Sequence, residues 1–358
     1  MNNADPYISI IIPLFNKEGY IEKCLRSIVS QTEKNWECII VDDGSTDGSV
    51  QAAEGIIGDD SRFKLFSQKN SGPSVARNRG IKESSGRILH FIDADDFYPT
   101  DTTLKDVIAV FDKYKPKALT GNIGILYSET EEIDYTIDVN SNQTGWFKKE
   151  DVQYDYYFTR FFFERNFIIE NKIAFPEYTY VGEDPVFLLR ALEKIDRFFI
   201  TSIPVYVYNI KGSANNDFRQ YSDAKVASYI RSQNEVIDIC LRNGLLKLVE
   251  RVYDRILNEF IDIYADRSKE SPEVKERLVD LISAVPFELK IDKMALVNAN
   301  KKKLADLEEE FKKAKSDLKS STEMVKRQKI ELEVYRRPGV KLAFKTFLGA
   351  VKRYISKS

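Results

Sequence analysis

The run Ile88-Leu89-His90-Phe91-Ile92-Asp93-Ala94-Asp95-Asp96-Phe97 joins an apolar stretch to three carboxylates. The apolar part reads as a buried strand, and alternation of side chains places Asp93 and Asp95 on one side just past its end. Two carboxylates held that close repel unless a positive charge lies between them. A hard divalent cation with oxygen ligands, itself holding phosphate oxygens, answers that need. A strand followed by an ordinary acidic turn accounts for the same residues, so the neighbouring segments must decide.

Those segments alternate between strand and helix. Tyr7 to Pro13 is a first strand, and Tyr20, Ile21, Cys24, Leu25, Ile28 and Val29 share one face of the helix after it. Trp36 to Val41 is a second strand, Val50 to Ile57 a helix, and Arg62 to Phe66 a short third strand. Ser71-Gly72-Pro73-Ser74 opens a helix that Ser84-Ser85-Gly86 closes, and the strand ending in Asp93 follows. This alternation predicts an α/β fold, a mainly parallel sheet with helices on both faces. Ligands of such sheets bind beyond the carboxyl ends of the strands. Pro13-Leu14-Phe15-Asn16, Asp42-Asp43 and Asp93 to Asp96 all stand at such ends.

Asp43 is suited to accept hydrogen bonds from an imide N–H or ribose hydroxyls, as a nucleoside offers. Asp95 with Asp93 can hold a metal that bridges two phosphates, and Arg77 can aim a cationic fork at the same phosphates. No glycine-rich dinucleotide fingerprint and no Gly-Lys-Ser/Thr loop occurs, which disfavours NAD binding and P-loop chemistry. Each residue also has a plain structural reading. Asp42 and Asp43 can cap a helix or close a turn with Gly44, and Arg77 can form a surface ion pair.

Taken together, Ser9-Ile10-Ile11-Ile12-Pro13-Leu14-Phe15-Asn16, Val41-Asp42-Asp43-Gly44-Ser45-Thr46-Asp47, Asn70-Ser71-Gly72-Pro73-Ser74-Val75-Ala76-Arg77-Asn78-Arg79-Gly80-Ile81 and Phe91 to Asp96 resemble a family 2 glycosyltransferase in order and spacing. The resemblance covers roughly the first 210 residues. It implies a GT-A fold, a nucleotide-sugar donor (UDP-linked) and a divalent metal, Mn²⁺ or Mg²⁺. It places Pro13, Phe15, Asn16, Asp42, Asp43, Arg77, Asp93 and Lys211 at the nucleotide sugar, with Asp93 and Asp95 on the metal. Family members often carry another residue where Asp42 stands, so Asp43 is the stronger base contact.

Tyr180-Val181-Gly182-Glu183-Asp184-Pro185 resembles the family's Glu-Asp motif at a helix start, which makes Asp184 the general base, with Glu183 beside it. Direct displacement at an anomeric carbon needs a base on the face opposite the leaving group. Plain first-turn acids, favoured by the helix dipole, are the structural alternative. Val205 to Ser213 looks like a loop that closes over the diphosphate, but relatives often have a histidine there and this chain's single histidine is His90. Lys211 can neutralise phosphate instead, or simply be solvated. The glutamine-arginine-tryptophan motif of processive polymerases is missing, so addition of one or a few sugars is expected. The aromatic stretch Tyr154 to Phe163 reads as core in preference to a sugar platform.

Composition sets the remaining bounds. Cys24, Cys38 and Cys240 fit no ligand spacing and read as buried free thiols. The net charge of −2 gives no reason to expect nucleic acid as a partner, and no apolar run approaches the ~20 residues of a membrane span. Beyond about Gln220 helical patterns take over, at Val226 to Leu245, Leu248 to Tyr264 and after Ser271-Pro272. Leu304, Leu307, Phe311, Ala314 and Leu318 form a heptad seam, a possible coiled coil through which the chain would form a homo-oligomer. From Arg336 onward every charged side chain is basic, and Val340, Phe344, Phe347, Leu348, Val351 and Ile355 share one helical face. That is the pattern of a helix lying in an anionic membrane surface; a helix docked on the protein itself is the alternative.

The expected organisation is therefore a transferase domain at 1–218, a helical region at 219–300, a charged heptad helix at 301–335 and a basic amphipathic helix at 336–358. The expected partners are a UDP-sugar, a glycan or lipid-linked acceptor and the membrane surface. The expected location is cytoplasmic, peripheral on the inner face of the cell membrane, and the expected setting is bacterial surface-polysaccharide assembly. A sugar nucleotidyltransferase and a membrane-bound scaffold with a non-catalytic sugar-nucleotide domain are the rival readings. The first lacks its glycine-rich phosphate loop here; the second is opposed by intact Asp43, Asp93, Asp95 and Asp184.

Overall fold

The computed structural model describes residues 5–127, 132–135, 143–152, 158–211, 221–255, 271 and 274. The expectations for Tyr154 to Tyr157, for Gly212 and Ser213, for residues 256–264, for the heptad seam at 301–335 and for the basic segment at 336–358 lie outside the described residues. The chain divides into two compact units, Met1–Gln220 with Arg231–Leu248, and Tyr221–Ile230 with Val249–Ser358.

The first unit is built on one nine-stranded sheet. Its strands are β1 (Ile8–Leu14), β2 (Trp36–Asp42), β3 (Phe63–Ser67), β4 (Ile88–Phe91), β5 (Ala118–Leu126), β6 (Ile133–Asp134), β7 (Gly145–Lys148), β8 (Phe161–Glu164) and β9 (Arg197–Asn209). The order across the sheet is β3-β2-β1-β4-β8-β5-β9-β7, with β6 paired to β5. The ladders β3–β2, β2–β1, β1–β4 and β5–β9 are parallel; those of β8 with β4 and with β5, β6 with β5 and β7 with β9 are antiparallel. The parallel arrangement expected from the sequence is thus that of the first four strands, where each crossover carries a helix. The rest of the sheet is mixed.

Helices α1 (Ile21–Val29), α2 (Ser49–Ile57), α3 (Pro73–Glu83), α4 (Thr103–Tyr114), α5 (Arg165–Glu170) and α6 (Glu183–Leu192) cover both faces. Period-two alternation explains the two layers. Ile8, Ile10, Ile12 and Leu14 pack with Cys24, Leu25 and Ile28 of α1, Ala53 of α2 and Leu104, Val107 and Phe111 of α4. Ile11, Leu89 and Phe91 face the other way and pack with Ile81 of α3, Phe167 and Ile168 of α5 and Phe187, Leu188 and Leu192 of α6. Phe158, Phe161, Phe162 and Phe163 are buried, so this part of the aromatic stretch is core. The three cysteines are free and buried, as expected. Burial also pushes the Cys24 and Cys38 thiols well up, which keeps them protonated and inert.

Two helices, α7 (Asp223–Arg242) and α8 (Leu246–Arg255), follow the sheet in sequence, separated at Gly244 with φ +71°. Within the second unit the Val226 N–H bonds the Ser222 carbonyl at 2.9 Å. Val274 N–H donates to Ser271 Oγ at 3.4 Å, a contact of the kind a capping serine makes.

Candidate active site

Three parallel strands end side by side, and each turns in a way its residues dictate. At the end of β1, Asn16 takes φ +51°, a conformation asparagine tolerates better than most residues. Its Oδ1 accepts the Thr46 N–H at 2.9 Å, and its own N–H donates to Ser45 Oγ at 3.1 Å. The β1 and β2 ends are thereby tied together. Pro13 lies in the ladder opposite Val41, while Phe15 is exposed.

Asp42 and Asp43 end β2, and both are buried. Asp42 Oδ1 accepts the Ser45 N–H at 3.0 Å, closing the turn at Gly44, whose φ is +77°. Asp43 has a different task. Its Oδ1 accepts from Gln68 Nε2 and the Ser71 N–H, both at 2.9 Å, and its Oδ2 accepts the Gly72 N–H at 2.7 Å. It thus fixes the loop that starts α3, and Oδ2 retains acceptor capacity.

The Asp93–Asp96 segment is a tight turn. β4 ends at Phe91, and the Asp96 N–H bonds back to the Asp93 carbonyl at 2.9 Å. Strand alternation therefore stops before these carboxylates, and they do not share a side by strand geometry. Each instead has its own partner. Asp93 Oδ1 accepts from Arg77 at 2.8 Å, and Asp95 Oδ2 from Lys17 Nζ at 2.6 Å. Asp96 is buried; its Oδ2 accepts the Tyr206 hydroxyl and its Oδ1 the Asn209 N–H at 2.8 Å. The Tyr206 oxygen in turn accepts the Asp93 N–H at 3.2 Å, and Asn209 Nδ2 donates to the Asp95 carbonyl at 3.1 Å. The end of β9 thus holds the acidic turn in shape.

Arg77 organises the site. It projects from α3, its side chain is 4% exposed, and one guanidinium nitrogen reaches Asp93 while the other donates to Glu183 Oε1 at 2.9 Å and Asp184 Oδ1 at 3.1 Å. The rings of Phe158 and Phe175 flank it at 4.9 and 5.2 Å. Asp93, Asp184 and Glu183 together outweigh the burial that would favour the uncharged form, so the guanidinium is held firmly charged. The Arg77 fork, expected to face phosphates, is thus engaged by three carboxylates. It joins the end of β4 to the first turn of α6. Asn78, the next residue, bonds the Phe175 backbone in both directions, Nδ2 to O at 3.0 Å and N–H to Oδ1 at 2.8 Å, which anchors the segment leading to Glu183.

The acids differ in their electrostatics. Burial and the Glu183 charge push the Asp184 carboxyl well up against the pull of Arg77, yet its side chain stays about a third open (35%). A carboxylate with a raised pKa and solvent access is a stronger base than an ordinary one. Burial and Asp93 likewise raise Asp95, opposed by Lys17. Among the described residues no three acidic, thiol or imidazole side chains converge to cage a metal alone. Asp93 and Asp95 nevertheless fit a Mg²⁺ or Mn²⁺ ion, which commonly takes one or two carboxylates and completes its shell with water and phosphate. Among the described residues, the cations that bond Asp93, Asp95, Glu183 and Asp184 are Arg77 and Lys17. Lys211 is exposed, and its carbonyl accepts the Tyr20 hydroxyl at 2.8 Å.

Lys17, Asn78, Tyr206 and Asn209 were not singled out by the sequence. Their signals were adjacency to motif residues, at Asn16-Lys17 and Arg77-Asn78, and a position at the end of an alternating strand, at Tyr206 to Asn209.

Residues 9–176 match the model of glycosyl transferase family 2. An uncharacterised glycosyltransferase of Haemophilus influenzae is 36% identical over 147 residues, 38% of this chain and 59% of the relative. The putative teichuronic acid biosynthesis glycosyltransferase TuaG of Bacillus subtilis is 36% identical over 124 residues, 34% of this chain and 48% of the relative. GlyA of Streptococcus pneumoniae is matched over only 19% of its length, at 37% identity and over 37% of this chain. This chain therefore spans well under two thirds of each of these three relatives. Among solved structures, Staphylococcus aureus TarS in complex with UDP-GlcNAc superposes with a TM-score of 0.69 at 21% identity, covering 84% of this chain and 89% of that one. The shared fold is of the GT-A type.

Proposed function

Because residues 9–176 belong to glycosyl transferase family 2, we propose that this protein moves a sugar from a UDP-linked donor to a hydroxyl of a glycan or lipid-linked oligosaccharide, inverting the anomeric carbon. The observation that carries the reading is the Arg77 fork, which gathers Asp93 at the end of β4 and Glu183-Asp184 at the start of α6 around one guanidinium. Donor-side and acceptor-side carboxylates are thereby held in one site.

Asp184 takes the proton of the acceptor hydroxyl, the oxygen attacks the anomeric carbon, and the bond to the diphosphate breaks on the opposite face. Glu183 shares the cation of Arg77 and, by its charge, keeps Asp184 basic. In this reading Asp43, with Pro13, Phe15 and Asn16, receives the nucleobase, and Lys211 meets the diphosphate. Asp93 and Asp95 would hold a divalent cation, which would supply charge neutralisation for the leaving diphosphate. UDP-GlcNAc is the first donor to try, since TarS was crystallised with it. The TuaG similarity favours a bacterial surface polysaccharide as the product. The basic segment at 336–358 would bring the enzyme to the inner membrane face, where a lipid-linked acceptor would reside.

The test is hydrolysis and binding of a panel of nucleotide sugars, with Mn²⁺ or with chelator, by the wild type and Asp95→Ala. Slow metal-dependent hydrolysis of one UDP-sugar, lost in Asp95→Ala, is expected. Failure to bind any nucleotide sugar under either condition would overturn the transferase reading.

A further inference from the structure

Residues 173–182, between α5 and α6, form neither helix nor strand and lead straight to Glu183 and Asp184. A segment without a ladder of its own is placed by the groups that bond it from outside. Asn78 on α3 holds its start, through the Phe175 backbone and, at 2.9 Å, the Glu177 carboxylate. Further anchors come from α7, in the part from Arg231 onward that belongs to the same compact unit.

Glu235 is the centre of that support. Its Oε2 accepts the Tyr178 hydroxyl, and its Oε1 accepts from Arg190 Nε at 2.7 Å. Arg190, on α6, also donates from a terminal nitrogen to the Ala174 carbonyl at 2.8 Å. Ala174 and Tyr178 are thus tied to two helices through one carboxylate. Ser232 Oγ reaches the Val181 carbonyl at 3.4 Å, and the Arg231 guanidinium lies 4.0 Å from the centre of the Tyr178 ring. Spacings of three and four put Arg231, Ser232 and Glu235 on one face of α7. Gly182, at φ +81°, then turns the chain into α6.

These polar contacts are poor candidates for global stabilisers. The Arg190 and Glu235 side chains are 30% and 26% exposed, and ion pairs open to water contribute weakly. What they fix is geometry. We propose that Glu235 is a positioning residue: through Tyr178 and Arg190 it holds segment 173–182 and thereby sets where the Asp184 carboxylate stands against the acceptor hydroxyl. This rests on the transferase reading above. The residues assigned to the donor stand at the ends of β1, β2 and β4, and none of them bonds Glu235. Loss of Glu235 therefore acts on the chemical step and spares donor binding.

The test uses the full chain as wild type, Glu235→Ala, Glu235→Gln and Tyr178→Phe. It reads UDP binding with Mn²⁺, amide hydrogen exchange of peptides covering 174–184, and hydrolysis of the UDP-sugar panel. In Glu235→Ala, exchange in these peptides should quicken about tenfold and kcat should fall about tenfold, while UDP affinity and donor KM stay within about twofold. Glu235→Gln keeps the shape and an acceptor for Arg190, and should recover most of both. Tyr178→Phe removes only the hydroxyl and should show a smaller change of the same kind, which keeps the question decidable if Glu235→Ala fails to fold. Unchanged exchange in Glu235→Ala and Tyr178→Phe, with UDP bound normally, would overturn the positioning role and leave the transferase reading standing. A fall in kcat matched by an equal loss of UDP affinity would also overturn it, as general damage. Absence of UDP and UDP-sugar binding in all four proteins would overturn both readings.

Discussion

Arg77 carries most of the site's electrostatics, and a lysine cannot replace it. A guanidinium offers five donors in a fixed fork, an ammonium one point charge. Arg77→Lys should therefore leave at least one of Asp93, Glu183 and Asp184 unpaired. The expected result is a loss of transfer of about one to two orders of magnitude, mainly in kcat, from misplacement of Asp184. Steady-state kinetics on the donor found by the panel check this. Another buried carboxylate, Glu37, does purely structural work at the other end of the sheet. Its Oε1 accepts from Ser9 Oγ and the Ser85 N–H, both at 2.6 Å, and its Oε2 from Lys64 at 2.6 Å. Burial pushes its carboxyl up, but these donors outweigh it and hold it below the ordinary value. Glu37→Gln should cost about 1–3 kcal/mol in urea unfolding with activity per folded molecule retained. His90 is buried between Tyr98 and Phe162, and burial pulls its pKa down to about 3. Its Nε2 faces the Thr159 carbonyl, which only accepts, so Nε2 carries the proton and Nδ1 accepts from the Tyr98 hydroxyl. The unfolded chain takes up a proton near pH 6.5 and the folded one does not until about 3. This contribution to stability is complete above 6.5 and falls, by on the order of a few kcal/mol, as the pH drops through that window. Denaturation at pH 7 and pH 4.5 should show a smaller pH-dependent difference in His90→Gln than in the wild type.

At the scale of elements, α3 is the piece that must lie closest to the sheet, because it delivers Arg77. Gly80 permits that approach: a Cβ there would stand 2.3 Å from Ile11 Cγ2 on β1. Ile11 is β-branched and stiff, so it cannot swing aside cheaply. Gly80→Ala should destabilise by about 1–3 kcal/mol. Adding Ile11→Ala should make the combined loss smaller than the sum of the two, which thermal melts of the double-mutant cycle would measure. The end of β9 has the matching role on the other flank, where Tyr206 and Asn209 support the acidic turn through Asp96. Alternation at Tyr206 to Asn209 marks a strand end but not that support, which depends on β9 pairing beside β5 and meeting Phe97 at Val207.

At the scale of the whole molecule, the charge of the C-terminal tail bears on the proposed lipid-linked acceptor. Seven basic residues and no acidic one lie between Arg336 and the end of the chain. Each basic side chain near an anionic bilayer contributes about 1 kcal/mol, weakened by salt. The full chain should sediment with anionic vesicles and be released by high salt. A chain ending at residue 335 should not sediment with them, while its hydrolysis of soluble donor stays within about twofold. Equal sedimentation of the two would remove the tail from the functional picture.

Much of the architecture was written locally. Period-two apolar runs between turn residues set the first four strands, helical periodicity set α1, and the terminal positions of Asp43 and Asp93 put them at one edge of a parallel sheet. Buried cysteines and an apolar aromatic stretch were legible for the same reason, since composition and spacing alone decide which side chains avoid water. The pairing of charges was not legible. Nothing in the chain between residues 77 and 184 announces that Arg77 faces Glu183 and Asp184, or that Lys17 meets Asp95 across 78 positions. Those contacts exist because β1 and β4 are neighbours in the sheet and α6 begins within reach of the turn that follows β4. Local pattern determined which residues gather at the site; long-range packing decided which carboxylate each cation holds, because an ion pair has no sequence period and depends only on where the folded backbone carries its two ends.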